Sequence, residues 1–91
     1  PIVSENTVFL SSNDFSSSFK VYPNPASSYV KIQTNDFSNR IVIYDLNGNM
    51  LLNKIYNKNQ IEISVDFLSS GIYVLKVIND SGYIYRKIII R

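Results

Sequence analysis

The side chains of this chain that could take part in a reaction are few and scattered. Beyond residue 18 its carboxylates are Asp36, Asp45, Glu62, Asp66 and Asp80, and none has neighbours that mark it as half of an acid–base pair. Histidine and cysteine are both absent. That removes the commonest general base, the thiolate nucleophile and the commonest transition-metal ligands. No Ser/His/Asp set can form, and three scattered glycines make no phosphate-cradling loop. Neither an enzymatic activity nor a cofactor is expected.

Two motifs come nearest to a binding chemistry. Asp45-Leu46-Asn47-Gly48-Asn49 begins like a calcium loop, but such a loop needs Gly and Glu where this chain has Met50 and Tyr56. Hairpin chemistry accounts for Asn47 and Gly48, and a looser oxygen-ligand site at Asp45 or Asp36 stays open. The seven tyrosines, among them Tyr22, Tyr29, Tyr44, Tyr56, Tyr83 and Tyr85, are the second. They suit a glycan-stacking face, and tyrosine is equally a good strand former with an amphipathic ring. Asn79-Asp80-Ser81 has the form of a glycosylation sequon but reads as turn chemistry.

The elements that must position these groups follow a period of two. In Tyr29-Val30-Lys31-Ile32-Gln33, Val30 and Ile32 share a face opposite Lys31 and Gln33. Ile61, Ile63 and Val65 alternate in the same way and point inward. Arg40 to Asp45 and Met50 to Tyr56 flank the Asn-Gly turn, while Ile72 to Ile78 and Tyr83 to Ile90 are the longest runs. With Phe19 to Tyr22 leading into Pro23-Asn24-Pro25, this makes about seven strands, no helical segment and no internal repeat. The two prolines fix φ and remove two backbone donors from that front turn. The expected fold is an all-β, immunoglobulin-like antiparallel sandwich over residues 19–91.

Leu68-Ser69-Ser70-Gly71-Ile72-Tyr73 has the form of a tyrosine corner at the start of a long strand. A structural role for Leu68, Gly71 and Tyr73 accounts for all three, with Tyr73 buried and its hydroxyl bonded to backbone a few residues upstream. The rival reading makes Tyr73 a ligand-stacking ring.

Composition sets the remaining bounds. Ninety-one residues, 45% hydrophobic and 18% charged, make one small folded domain and not a disordered tail. Residues 1–18 carry Glu5 and Asp14 without a base and include Ser11-Ser12-Asn13-Asp14-Phe15-Ser16-Ser17-Ser18. They read as a linker joining an upstream domain, and Pro1 in place of Met reads as a processed start or a piece cut from a longer protein. Residues 19–91 hold nine basic and five acidic residues, a net of +4, and Arg86, Lys87 and Arg91 follow the last acid. That tail favours an anionic partner or keeps an edge strand soluble, and it is too sparse for nucleic-acid binding. No apolar run approaches the roughly twenty residues of a membrane helix, so the chain is not expected to span a membrane.

Four blocks occur in order: Val21-Tyr22-Pro23-Asn24-Pro25-Ala26, Ile43-Tyr44-Asp45-Leu46-Asn47-Gly48, Leu68-Ser69-Ser70-Gly71-Ile72-Tyr73-Val74-Leu75-Lys76-Val77 and Lys87-Ile88-Ile89-Ile90-Arg91. Together, from about Asp14 to the last residue, they resemble the C-terminal sorting domain of cargo of the type IX (Por) secretion system of Bacteroidota, in its type A form. The resemblance implies an immunoglobulin-like sandwich that directs an exported cargo through the outer-membrane translocon. It implies an outer-membrane shuttle barrel and a cell-surface sortase as partners, with removal of the domain and attachment of the cargo to an anionic surface lipopolysaccharide. The route runs from periplasm in transit to cell surface or extracellular space. Carried over residue by residue, translocon recognition falls on Gly71, Tyr73, Lys76, Lys87 and Arg91, with Pro23, Asn24 and Pro25 in the front turn. Arg91 departs from the more usual lysine at the end. A glycan-binding or adhesive immunoglobulin-like module is the alternative, and the oligomeric state is left open.

Overall fold

A computed structural model describes residues 19–91; the junction expected over residues 1–18 lies outside the described residues. The strands are β1 (Lys20–Tyr22), β2 (Tyr29–Gln33), β3 (Asn39–Tyr44), β4 (Met50–Tyr56), β5 (Gln60–Ser64), β6 (Gly71–Asn79) and β7 (Gly82–Ile90). They form two antiparallel sheets, β1-β2-β5 and β4-β3-β6-β7, packed face to face as an immunoglobulin-like sandwich.

Alternation explains how these sequences fill the space between the sheets. Val30, Ile32, Ile61 and Ile63 face inward from the smaller sheet, with Val65 just past β5. Ile41, Ile43, Tyr73, Leu75, Val77, Ile84, Ile88 and Ile90 meet them from the larger one. β-branched side chains dominate because they fit a pleated, half-buried surface. Phe19 is buried at the sandwich edge, where the Arg86 guanidinium lies 5.2 Å from its ring centre.

The β3–β4 hairpin turns at Asn47-Gly48, with Gly48 at φ +88°, a left-handed conformation that costs glycine little. Asp45 fastens the turn: Oδ1 accepts from the backbone N–H groups of Asn47 and Asn49, each at 2.9 Å. A register slip beside Tyr44 sets Met50 opposite it.

The end of the sandwich that carries the β2–β3, β4–β5 and β6–β7 connections is held by a buried polar cluster. Asn39 is fully buried, and its Nδ2 donates to the carbonyls of Asp36 (2.9 Å) and Lys58 (3.0 Å). Its Oδ1 lies 2.8 Å from Asn79 Nδ2, which donates to it, and 3.2 Å from the Thr34 hydroxyl. One amide thereby joins three connections, and removing it takes away partners from part-buried groups of all three. Asn39→Ala is expected to lower unfolding stability by about 3 kcal/mol. Urea titration with an unchanged m-value checks this.

Candidate functional site

Gly71 and Tyr73 stand at the start of β6. The Tyr73 hydroxyl donates to the Ser69 carbonyl at 2.7 Å, four residues upstream, and the ring is buried. Leu68, whose N–H donates to the Val65 carbonyl at 3.0 Å, packs against the core beside it. Gly71 pairs in register with Ile90, and Tyr73 with Ile88, so this corner lies beside the end of β7.

The front turn lies at the same end. Both the Tyr22-Pro23 and the Asn24-Pro25 peptide bonds are cis. The turn runs along the outer edge of β7, where Asn24 grips the strand with its side chain. Asn24 Nδ2 donates to the Lys87 carbonyl and the Ile89 N–H donates to Asn24 Oδ1, both at 3.0 Å. The main chain continues the ladder: the Ala26 N–H donates to the Ile89 carbonyl, and the Arg91 N–H to the Ala26 carbonyl, both at 2.8 Å. Ala26 and Ile90 form a parallel bridge and are both buried. A primary amide sets N–H donors and a carbonyl acceptor in one plane, so it can present one of each to a strand edge as a peptide group does. Asn24 therefore supplies what a neighbouring strand would supply, between two prolines that have no N–H to offer.

The structure thus gathers Pro23, Asn24, Pro25, Gly71, Tyr73, Lys87 and Arg91 at one end of the larger sheet. Lys76 lies apart, nearer the middle of β6. Its ammonium sits 5.1 Å from the ring centres of both Tyr83 and Tyr85, which meet edge to face at 5.8 Å and 78°. The three late cations also diverge: Arg86 covers Phe19, whereas Lys87 and Arg91 are exposed. The grip of Asn24 on β7 is not readable from sequence, because its partners stand 63 and 65 residues away.

The other chemical candidates have structural employment. The Asp45 carboxylate is held below its ordinary range, first by the Asn49 side-chain amide, 3.0 Å from Oδ2, and next by backbone N–H groups of the turn. Asp36 Oδ2 accepts from the Ser81 N–H and hydroxyl at 3.2 and 3.0 Å. Asn79 uses both ends of its amide, toward Asn39 and Ser81. An open depression of about 210 Å³ on the smaller sheet is lined by Tyr22, Lys31, Ile32, Gln60, Ile61 and Glu62. Glu62 is its one carboxylate, so it offers no acid–base pair. Among the described residues no three His, Cys, Asp or Glu side chains converge as a metal site would require.

A family model described as a secretion system C-terminal sorting domain matches residues 20–91. Among solved structures the chain is similar to PorZ of Porphyromonas gingivalis, an essential bacterial surface component of the type-IX secretion system. The identity is 18% and the TM-score 0.69, over 90% of this chain and 12% of PorZ, which is a likeness of fold. Comparison with curated proteins gives no match.

Tyr73→Phe removes one buried donor and is expected to cost about 1 kcal/mol, measured by thermal or urea unfolding. Asn24→Ala is expected to raise amide hydrogen exchange at Ile89 about tenfold or more while Ile88 stays protected. Equal protection of Ile89 in the variant and the parent would show that the grip contributes nothing.

Proposed function

Since the chain belongs to the family of secretion system C-terminal sorting domains and is a sorting signal of the type IX system, we propose that its address is read where the front turn meets the basic end. The carrying observation is the grip of Asn24 on Lys87 and Ile89. It turns two sequence blocks at opposite ends of the domain into one surface, exposing Pro23, Pro25, Lys87 and Arg91 together. Gly71 and Tyr73 shape that surface from behind, through register with Ile90 and Ile88. The outer edge of β7 from Lys87 to Arg91 is already hydrogen-bonded, which favours recognition of side chains over addition of a partner strand along that stretch.

In this reading the outer-membrane shuttle barrel binds the folded domain after passage through the periplasm. A cell-surface sortase then cuts within residues 1–18, and the released cargo is joined to an anionic lipopolysaccharide at the surface or freed outside. The domain carries an address and no reaction. Among the described residues no helix is long and apolar enough to cross a membrane.

Exposed Tyr83 and Tyr85 favour the second reading, a glycan-binding module. Their edge-to-face geometry, with Lys76 near both rings, gives no flat stacking platform, so export is preferred.

The test is a fluorescent reporter carrying a periplasmic signal peptide and residues 1–91 at its C-terminus, in cells with and without the translocon. The double variant Lys87→Glu with Arg91→Glu leaves the buried Ile88 and Ile90 in place, so the fold persists while the cations reverse. Export is expected to fall, with the reporter accumulating in the periplasm, and mass spectrometry of exported parent reporter should place its new terminus within residues 1–18. Undiminished export of the double variant would refute the recognition surface, and a cut beyond Val21 would refute the cleavage site.

A further inference from the structure

The two outer faces of the sandwich differ in chemistry. On the smaller sheet the outward positions include Tyr29, Lys31, Gln33, Gln60, Glu62 and Ser64, a solvated mixture of both charges. On the larger sheet, register aligns Ile55, Arg40, Ile78 and Tyr83 in one row. Asn53, Val42, Lys76 and Tyr85 form the next. Val74 with Lys87, and Ile72 with Ile89, complete the face toward the end held by Asn24. Ile55 and Tyr83 are 50% and 52% exposed, and Leu51, Ile72 and Tyr85 are also open to solvent. Val42 is only 2% exposed although it lies on this outer side, enclosed by its neighbours in the middle of the face.

Strands β3, β4, β6 and β7 contain no Asp or Glu at all. Arg40, Lys76 and Lys87 are the charges of the face. Arg40 is steadied by a 2.8 Å bond from Nη1 to Asn53 Oδ1, and Lys76 by the two tyrosine rings. Small soluble domains rarely leave so continuous an apolar face in water unless something covers it. Tyrosine, isoleucine and arginine arranged this way match the residue types of protein interfaces.

We propose that this face is a docking surface for a partner protein whose own surface combines apolar side chains with carboxylates. Charge complementarity selects that occupant: with three cations, two of them held in place, and no acid on its strands, the face attracts an acidic surface and repels a basic one. A second copy of the chain docking face to face would set cations against cations, which disfavours self-pairing. The proposal rests on the reading of the chain as an export address, and it extends the recognised surface from the Lys87 end across the whole sheet to Ile55.

The test uses the reporter with residues 1–91 in cells that have the translocon. Lys76→Glu, and separately Ile55→Ser with Tyr85→Ser, should each lower export about tenfold, the loss expected when a central interface contact goes. Lys31→Glu on the opposite sheet should be silent. Thermal unfolding of each purified reporter verifies that the domain is intact. If deleting residues 19–91 abolishes export while the face variants export normally, the docking face is wrong and the address stands. If that deletion leaves export unchanged, the address itself is wrong. A photo-crosslinking p-benzoylphenylalanine at position 85 gives a second readout, independent of variant folding. Crosslinks to protein peptides rich in carboxylates and apolar residues support the proposal. Crosslinks to lipid, to glycan, to another copy of this chain, or none at all, overturn it.

Discussion

β7 is the last strand of the described fold and stands at the edge of the larger sheet, so half of its backbone groups point away from β6. An edge of nine residues with an apolar end is an invitation to pair with another chain. The turn after β1 answers that constraint. Asn24 and Ala26 take up the outward groups of Lys87, Ile89 and Arg91, and Ala26 closes over Ile90. Because β1 belongs to the smaller sheet, the same contacts tie one sheet to the other at their open side. The front of the domain and its final residues thereby depend on each other.

The opposite end of the sandwich is fastened by the same kind of group. Asn39 joins the connections around Asp36, Lys58 and Asn79, much as Asn24 joins the front turn to β7. The two differ in surroundings: Asn39 is fully buried and Asn24 exposed. A buried amide without partners costs its full desolvation, whereas an exposed one can turn to water. The Asn39 end therefore contributes more to stability. The Asn24 end contributes more to the arrangement of an exposed surface, which is what the proposed recognition role requires.

Much of this was legible in the sequence, and the remainder fails for identifiable reasons. Period-two alternation exposes Ile61, Ile63 and Val65 as core because one face of a strand is buried and the other is not. Asn47-Gly48 marks its hairpin because the turn is local, with every contact inside residues 45–49. Asn24 looks like a turn residue because Pro-Asn-Pro says nothing of a strand more than sixty residues away. Asn39 reads as one more polar residue near a strand start, since its partners come from three separate connections. Apart from Lys76, β6 is apolar on both sides, so its sequence identifies a strand but marks its solvent face by a single residue. Lys76 and Lys87 share a family of motifs but part in space, because their strand positions lie at different levels of the sheet.

That two-sided apolar sheet bears on how an address can be both soluble and readable. A face carrying Ile55, Ile72, Tyr83 and Tyr85 would by itself drive copies together once cargo is made in quantity. Three cations spread across it, with no acid to pair them in a second copy, oppose that association while leaving the apolar area intact. Closure of the β7 edge by Asn24 and Ala26 opposes strand-to-strand pairing from Lys87 to Arg91. On the proposed reading, a receptor can then recognise the side chains of one folded surface.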